Sequence, residues 1–262
     1  MMSETKNVPA VSDKKGIATV IAISLLVIGL NYMPYGPQIL YPFSLIYTFV
    51  HEMGHGIAGM LVGARFDNFV MHLDGSGLAT NMVPTDMSRF GLAFIAFGGL
   101  VAPAVMAAIC FILGRSPKAS RIGFYCFAGI CVLALALVVR NLFGFIFVAF
   151  CGLASLAVAK LPKSGAVPRH AMLVLAITLL TFVFSRGDYL FVQEASSGLS
   201  DVGQIQKYLF LPYWFWGGLI GLISVAILIF GVVAFFRVRP THAKQLPAEH
   251  ENADRENADL YF

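Results

Sequence analysis

Charge is in short supply in this chain. Charged residues make up 12% of the 262 positions, about half the quarter that is usual for soluble domains. Apolar residues take their place, with 58% hydrophobic side chains and a mean hydropathy of +0.78. That shortage excludes an ordinary water-soluble enzyme, a disordered chain, and a nucleic-acid binder whose affinity rests on a dense basic face. Cysteine is sparse as well. Cys110, Cys126, Cys131 and Cys151 all sit in apolar runs and no C-x-x-C pair occurs, so neither a disulfide framework nor a cysteine zinc site is indicated. They read as small buried hydrophobes. Internal repeats and inverted symmetry are also lacking.

What is present is long apolar runs. A spanning helix needs about 20 mostly apolar residues, and the stretches 17–33, 39–62, 90–114, 121–139, 141–160, 170–186 and 212–236 qualify. The first follows Lys14-Lys15 with no small-residue cleavage site after it, so it reads as a retained anchor. Pro34, Gly36 and Pro37 break the first two runs apart, and Arg140-Asn141 leaves room only for a tight helical hairpin. Residues 64–89 alternate polar and apolar around Gly75 and Gly77, which predicts a small sheet or hairpin lying against the membrane. Residues 187–211 are mixed and amphipathic, and predict a surface helix or re-entrant loop. The expected fold is an all-α polytopic membrane protein of about seven transmembrane helices, with a small membrane-associated β segment after the second. Residues 1–16 form a polar N-terminal tail, 17–239 the integral membrane domain, and 240–262 a polar C-terminal tail. The last residues resemble a damaged protease-tag site and carry no part of the argument.

Seven spans put the loops 64–89, 140–141 and 187–211 on one face of the membrane. The opposite face carries Arg115, Lys118, Arg121, Lys160, Lys163, Arg169, Arg237, Arg239 and Lys244, with no acid before Glu249. Asp67, Asp74, Asp86, Asp188, Glu194 and Asp201 all fall in loops of the first face. Glu52 alone lies inside a span.

A carboxylate within a span costs about 3 kcal/mol on insertion scales, so it persists only with a partner or a task. Glu52 stands in the run Val50-His51-Glu52-Met53-Gly54-His55. Helical residues four apart share a face, so His51 and His55 can present two imidazoles to one metal ion. Glu52 then sits beside the metal, placed to take a proton from a bound water whose pKa zinc lowers from about 16 toward 7. This is the H-E-x-x-H arrangement of zinc metalloproteases. The bland reading, a chance match or a structural polar cluster, fits poorly inside a span. Gly54, Gly56, Gly59 and Gly63 follow and read as a bare face for close helix packing.

Zinc needs a third protein ligand and an open fourth position. No third histidine follows at short spacing, so the ligand comes from far along the chain and from the first face. His170 and His242 lie on the other face. His72, Asp74, Asp188, Glu194 and Asp201 are the choices, each with an ordinary solvated loop residue as its rival reading.

These residues resemble the site-2 proteases, membrane-embedded zinc metallopeptidases, and more closely their compact bacterial branch without a PDZ domain. The resemblance runs from about residue 40 to 220. It is carried by His51-Glu52-Met53-Gly54-His55, the glycine-bearing segment 73–79, Arg140-Asn141 with Gly144, and Ser200-Asp201 followed by Pro212 and Trp216. It implies an Asp in a Ser-Asp pair before the last span as third ligand, which matches Asp201, with Asp188 and Asp74 as alternatives. Other site-2 proteases take this ligand from an N-x-x-P…D-G motif on a span. The one D-G here, Asp74-Gly75, comes too early for that.

The resemblance implies one Zn2+ per chain, Glu52 as catalytic base, and His51, His55 and Asp201 as ligands. Its substrates would be membrane-anchored or membrane-proximal proteins, in a bacterial cytoplasmic (inner) membrane, with no nucleic acid involved. Arg140 and Asn141 are candidate oxyanion or substrate contacts. Their rival reading is a snorkelling arginine and a helix cap. An exposed strand edge in 64–89 would align an extended substrate, which a helical one cannot offer without unwinding. Two other functions compete: an ion or proton transporter, which would spread polar residues through several spans, and a metal-binding scaffold without catalysis. Orientation divides the signals. The positive-inside rule puts the all-basic face in the cytoplasm, whereas the family, together with Lys6, Lys14 and Lys15, favours the reverse.

Overall fold

The computed structural model describes residues 12–161, 166–185, 187–195 and 198–236. Most of the two polar tails therefore lies outside the described residues. Seven long helices correspond to the seven apolar runs: α1 (Ser12–Asn31), α2 (Gly36–Leu61), α3 (Arg89–Leu113), α4 (Pro117–Leu137), α5 (Leu142–Lys160), α6 (Val167–Ser185) and, after a short α7 (Asp201–Leu209), α8 (Tyr213–Phe236). Among the described residues, α3, α4, α5, α6 and α8 are each long and apolar enough to cross a membrane. The helices α1 and α2 meet that measure only as a pair, bent by 113° at the break between them. The chain is an integral membrane protein. The break falls where Pro34 and Pro37 cannot donate backbone hydrogen bonds, and the polar residues of α2 explain its weaker apolar character.

At the centre is α3, which packs against α2, α6, α7 and α8. Small residues let it come close to α2. A Cβ at Gly54 would fall 2.5 Å from Ala102 Cβ and from Gly98 O, so the two helices approach closely where Gly54 meets Gly98.

Two strands follow α2: β1 (Arg65–Met71) and β2 (Gly77–Met82), antiparallel, with Phe69 opposite Ala79 and Val70 opposite Leu78. The outer edge of β1 is covered by the α4–α5 junction. Phe69 N–H donates to Val138 O at 2.7 Å, and Arg140 N–H donates to Phe69 O at 3.0 Å. The hairpin is thus a third-strand pairing short of a real sheet, with Val139 as the parallel partner. Between α6 and α8 the chain makes a 3-10 turn (Gly187–Phe191), a two-residue pairing of β3 (Glu194–Ala195) with β4 (Gly198–Leu199), and then α7. The hairpin thus lies along α2 from Tyr41 to His55, and the segment after α6 brings Asp201 to His51 and His55 of the same helix.

Candidate metal centre

One stripe of α2 holds the hairpin. Tyr41 OH donates to Leu73 O at 2.5 Å and Thr48 Oγ1 donates to Gly75 O at 2.9 Å. Glu52 Oε2 accepts the Ala79 N–H at 2.7 Å, and His55 O accepts from Asn81 Nδ2 at 3.2 Å. Positions 41, 48 and 52 follow helical periodicity, so the side chains of a single face of α2 read along the turn and into β2.

The neighbouring face carries the two imidazoles. Their Nε2 atoms lie 3.1 Å apart, with the rings nearly perpendicular at 89°. His55 Nδ1 is 2.8 Å from Ile95 O on α3. A carbonyl can only accept, so Nδ1 carries the proton and Nε2 offers its lone pair. This second contact orients the ring as a metal ligand requires. Gly99, one turn on from Ile95, gives the ring its space, since a Cβ there would collide with the imidazole.

From the far end of the chain comes Asp201. Its Oδ2 lies 3.1 Å from His51 Nε2 and its Oδ1 lies 3.4 Å from His55 Nε2. The segment is built to hold it there. Ser200 caps α7, accepting from Gly203 N at 3.1 Å and donating to Val192 O, which leaves Asp201 as the first helical residue, where a carboxylate suits the helix dipole.

Glu52, His55 and Asp201 are buried, with 8%, 9% and 6% of their surface exposed. His51, Glu52 and His55 each bring one donor atom within 4.8 Å of the others. Among the described residues, Asp201 Oδ2, despite its closeness to His51, and His51 Nδ1 have no hydrogen-bond partner. Buried polar atoms left in this way are costly. A zinc ion with ligands at 2.0–2.1 Å in tetrahedral array would separate them by about 3.3 Å, close to the three distances between the His51, His55 and Asp201 atoms. The donor set fits zinc.

The other sequence candidates lie elsewhere. Asp74 sits in the β1–β2 turn, where its Oδ1 accepts from Ser76 N at 2.9 Å and Ser76 Oγ at 2.6 Å, and these bonds lower its pKa. His72 is exposed and closes the same turn through its backbone. Glu194 is exposed in β3, and the Asp188 side chain is outside the described residues. Arg140 and Asn141 clasp the hairpin. Asn141 Oδ1 accepts from Met71 N and Gly144 N, both at 3.2 Å, while its Nδ2 donates to Met71 O at 2.6 Å. The Arg140 guanidinium turns back to Leu137 O and Val139 O. Sequence reasoning did not find Ile95 or Gly99. A backbone carbonyl leaves no mark in a sequence, and a glycine in an apolar run looks like any packing glycine.

No curated protein and no solved structure matches the chain. The family model of Peptidase M50B-like proteins matches residues 16–231, nearly the whole membrane domain, and its zinc-metallopeptidase chemistry agrees with the His51-Glu52-His55 cluster; the chain belongs to this family, the site-2 proteases.

Proposed function

We propose that this protein is a zinc endopeptidase that hydrolyses peptide bonds of membrane-anchored or membrane-proximal proteins, in a bacterial cytoplasmic membrane. The observation that carries the reading is the convergence of His51, His55 and Asp201, residues far apart in sequence, at distances that suit one tetrahedral ion. In this reading these three side chains hold the zinc, one per chain. When bound, zinc supplies a Lewis acid and lowers the pKa of a coordinated water.

The chain's own residues do the rest. Glu52 accepts a proton from the attacking water and returns it to the leaving amine. It lies against the outer edge of β2, the edge not paired with β1. Arg140 and Asn141 serve by fixing β1, and through it β2, against α2.

The test is Glu52→Gln in the full chain, with cleavage of a dye-labelled casein in detergent micelles and zinc content measured together. The amide keeps the side-chain volume and cannot act as a base. Cleavage should vanish while one zinc per chain remains. Cleavage at the wild-type rate in this variant would refute the proposal.

A further inference from the structure

Charge bias sets which way round a membrane protein sits, because short loops rich in lysine and arginine stay in the cytoplasm. The fold shows which loops share an end. Arg169, in the first turn of α6, donates from Nε to Gly114 O at the end of α3, at 3.1 Å. Its guanidinium also lies over the Phe235 ring at the end of α8, 6.0 Å from the centroid. Arg115, Lys118 and Arg121 follow Gly114 directly, in the turn to α4 and the start of that helix. Lys160 ends α5, and Ala159 beside it is buried in one apolar cluster with Cys110, Phe124 and Met172.

The start of α1 belongs to this basic end as well. A Cβ on Gly16 would stand 3.6 Å from a guanidinium nitrogen of Arg169 and 3.9 Å from the Phe235 ring. Lys14 and Lys15 precede Gly16 in the first turn of α1, with Asp13 as the one acid of that helix. Two complete antiparallel spans before the hairpin would have put these lysines at the opposite end. With α1 and α2 bent by 113°, the pair instead leads once from the Arg169 end to the hairpin. The two lysines therefore add to the basic end, and the acid beside them counts little in the charge rule.

The metal centre lies at the other end. His55 Nδ1 meets Ile95 O on α3, which is about 28 Å from Gly114 at the helical rise of 1.5 Å per residue. That separation nearly matches the roughly 30 Å of a hydrocarbon core. Among the described residues the hairpin end has four bases, against seven at the Arg169 end, and each of the four is engaged. Arg65 pairs with Asp67 at 3.0 Å, and Arg89 and Lys207 lie over the Phe210 and Tyr208 rings. The Arg140 guanidinium turns to Leu137 O and Val139 O.

We infer that the metal centre is reached from the side of the membrane away from the cytoplasm, so that its substrates are anchored proteins cut in the external segment beside the anchor. The inference rests on the zinc-peptidase reading in a bacterial cytoplasmic membrane. Hydrolysis there adds the elements of water across one C–N bond and releases the outer domain from its anchor.

Two measurements on the full chain in a bacterial host test the orientation. With a reporter fused after Phe262, green fluorescent protein should fluoresce and alkaline phosphatase should be inactive, because the end of α8 sits with Arg169. In spheroplasts, a membrane-impermeant maleimide should label Asp74→Cys, in the exposed hairpin turn, equally before and after lysis. It should label the exposed Lys118→Cys only after lysis. The native cysteines lie within α3, α4 and α5, and the unaltered chain gives the labelling background. Active phosphatase with dark fluorescent protein, or Lys118→Cys labelled in intact spheroplasts, would overturn the inference. Failure of the underlying reading looks different: wild-type chain without zinc, or cleavage surviving in Glu52→Gln, with the labelling pattern unchanged.

Discussion

The backbone N–H of Ala79 donates to Glu52 Oε2 at 2.7 Å, and this bond joins the outer edge of β2 to the carboxylate between the two histidines. It follows from register. Ala79 faces Phe69, whose own N–H and C=O point away from β2 to the α4–α5 junction. In such a pair the partner's groups also point outward, toward α2. Ala79→Pro removes this donor, whereas Ala79→Gly keeps it. Cleavage by the proline variant should fall by at least about tenfold, as expected when a charged hydrogen bond worth about 1.5–3 kcal/mol is lost. The glycine variant should stay near wild type, and both should hold zinc. Equal activity in the two would show that the bond does not position Glu52.

Gly99 gives a test of the metal ligands that leaves them unchanged. A methyl group there would collide with the His55 ring and push Nδ1 from Ile95 O, 2.8 Å away. Loss of such an orienting contact typically costs 10–100-fold in metal affinity. Gly99→Ala should therefore weaken zinc binding by about that factor in competition with a chelator. Unchanged affinity would mean that the ring is held by other means.

Much of this arrangement was legible in the sequence, and the remainder was hidden for identifiable reasons. The seven apolar runs became seven long helices, and the alternation around Gly75 and Gly77 became the β1–β2 hairpin. His51, Glu52 and His55 were readable because helical periodicity alone brings them together. The partnership of Phe69 with Val138 and Arg140 was not, because Val138-Val139 end an apolar run and look like helix. The break after α1 was visible in its prolines, but its 113° angle depends on how α1 packs against α6. Asn141 read as a helix cap, and it is one. Its grip on Met71 was invisible, since a side chain that caps one element leaves no sign of a second partner.

Asp201 and Asp74 give contrasting predictions. The first reaches both histidines. The second is spent on its own turn, accepting from Ser76. Asp201→Asn should lower zinc content well below one per chain after dialysis against a weak chelator, because a neutral amide is a poor replacement for a carboxylate ligand. Asp74→Asn should retain the metal. Full retention in the Asp201 variant would remove it from the ligand set while leaving the two histidines in place.

Asn141 permits a sharper separation of roles. Asp and Asn are nearly equivalent as helix N-caps, so Asn141→Asp should preserve the bond to Gly144 N that starts α5. It cannot preserve the donation to Met71 O. It would instead set a carboxylate oxygen against that carbonyl, at a site where the original bond is 2.6 Å long. If the hairpin clasp is what Asn141 contributes, the aspartate variant should be destabilised as much as Asn141→Ala, by on the order of 1–3 kcal/mol. Casein cleavage should drop in both, because β1 would no longer brace β2 against Glu52. If capping alone matters, only the alanine variant should suffer. Thermal unfolding and cleavage measured on the pair decide between them, and a stable, fully active Asn141→Asp would show that the hairpin is held in place without this side chain.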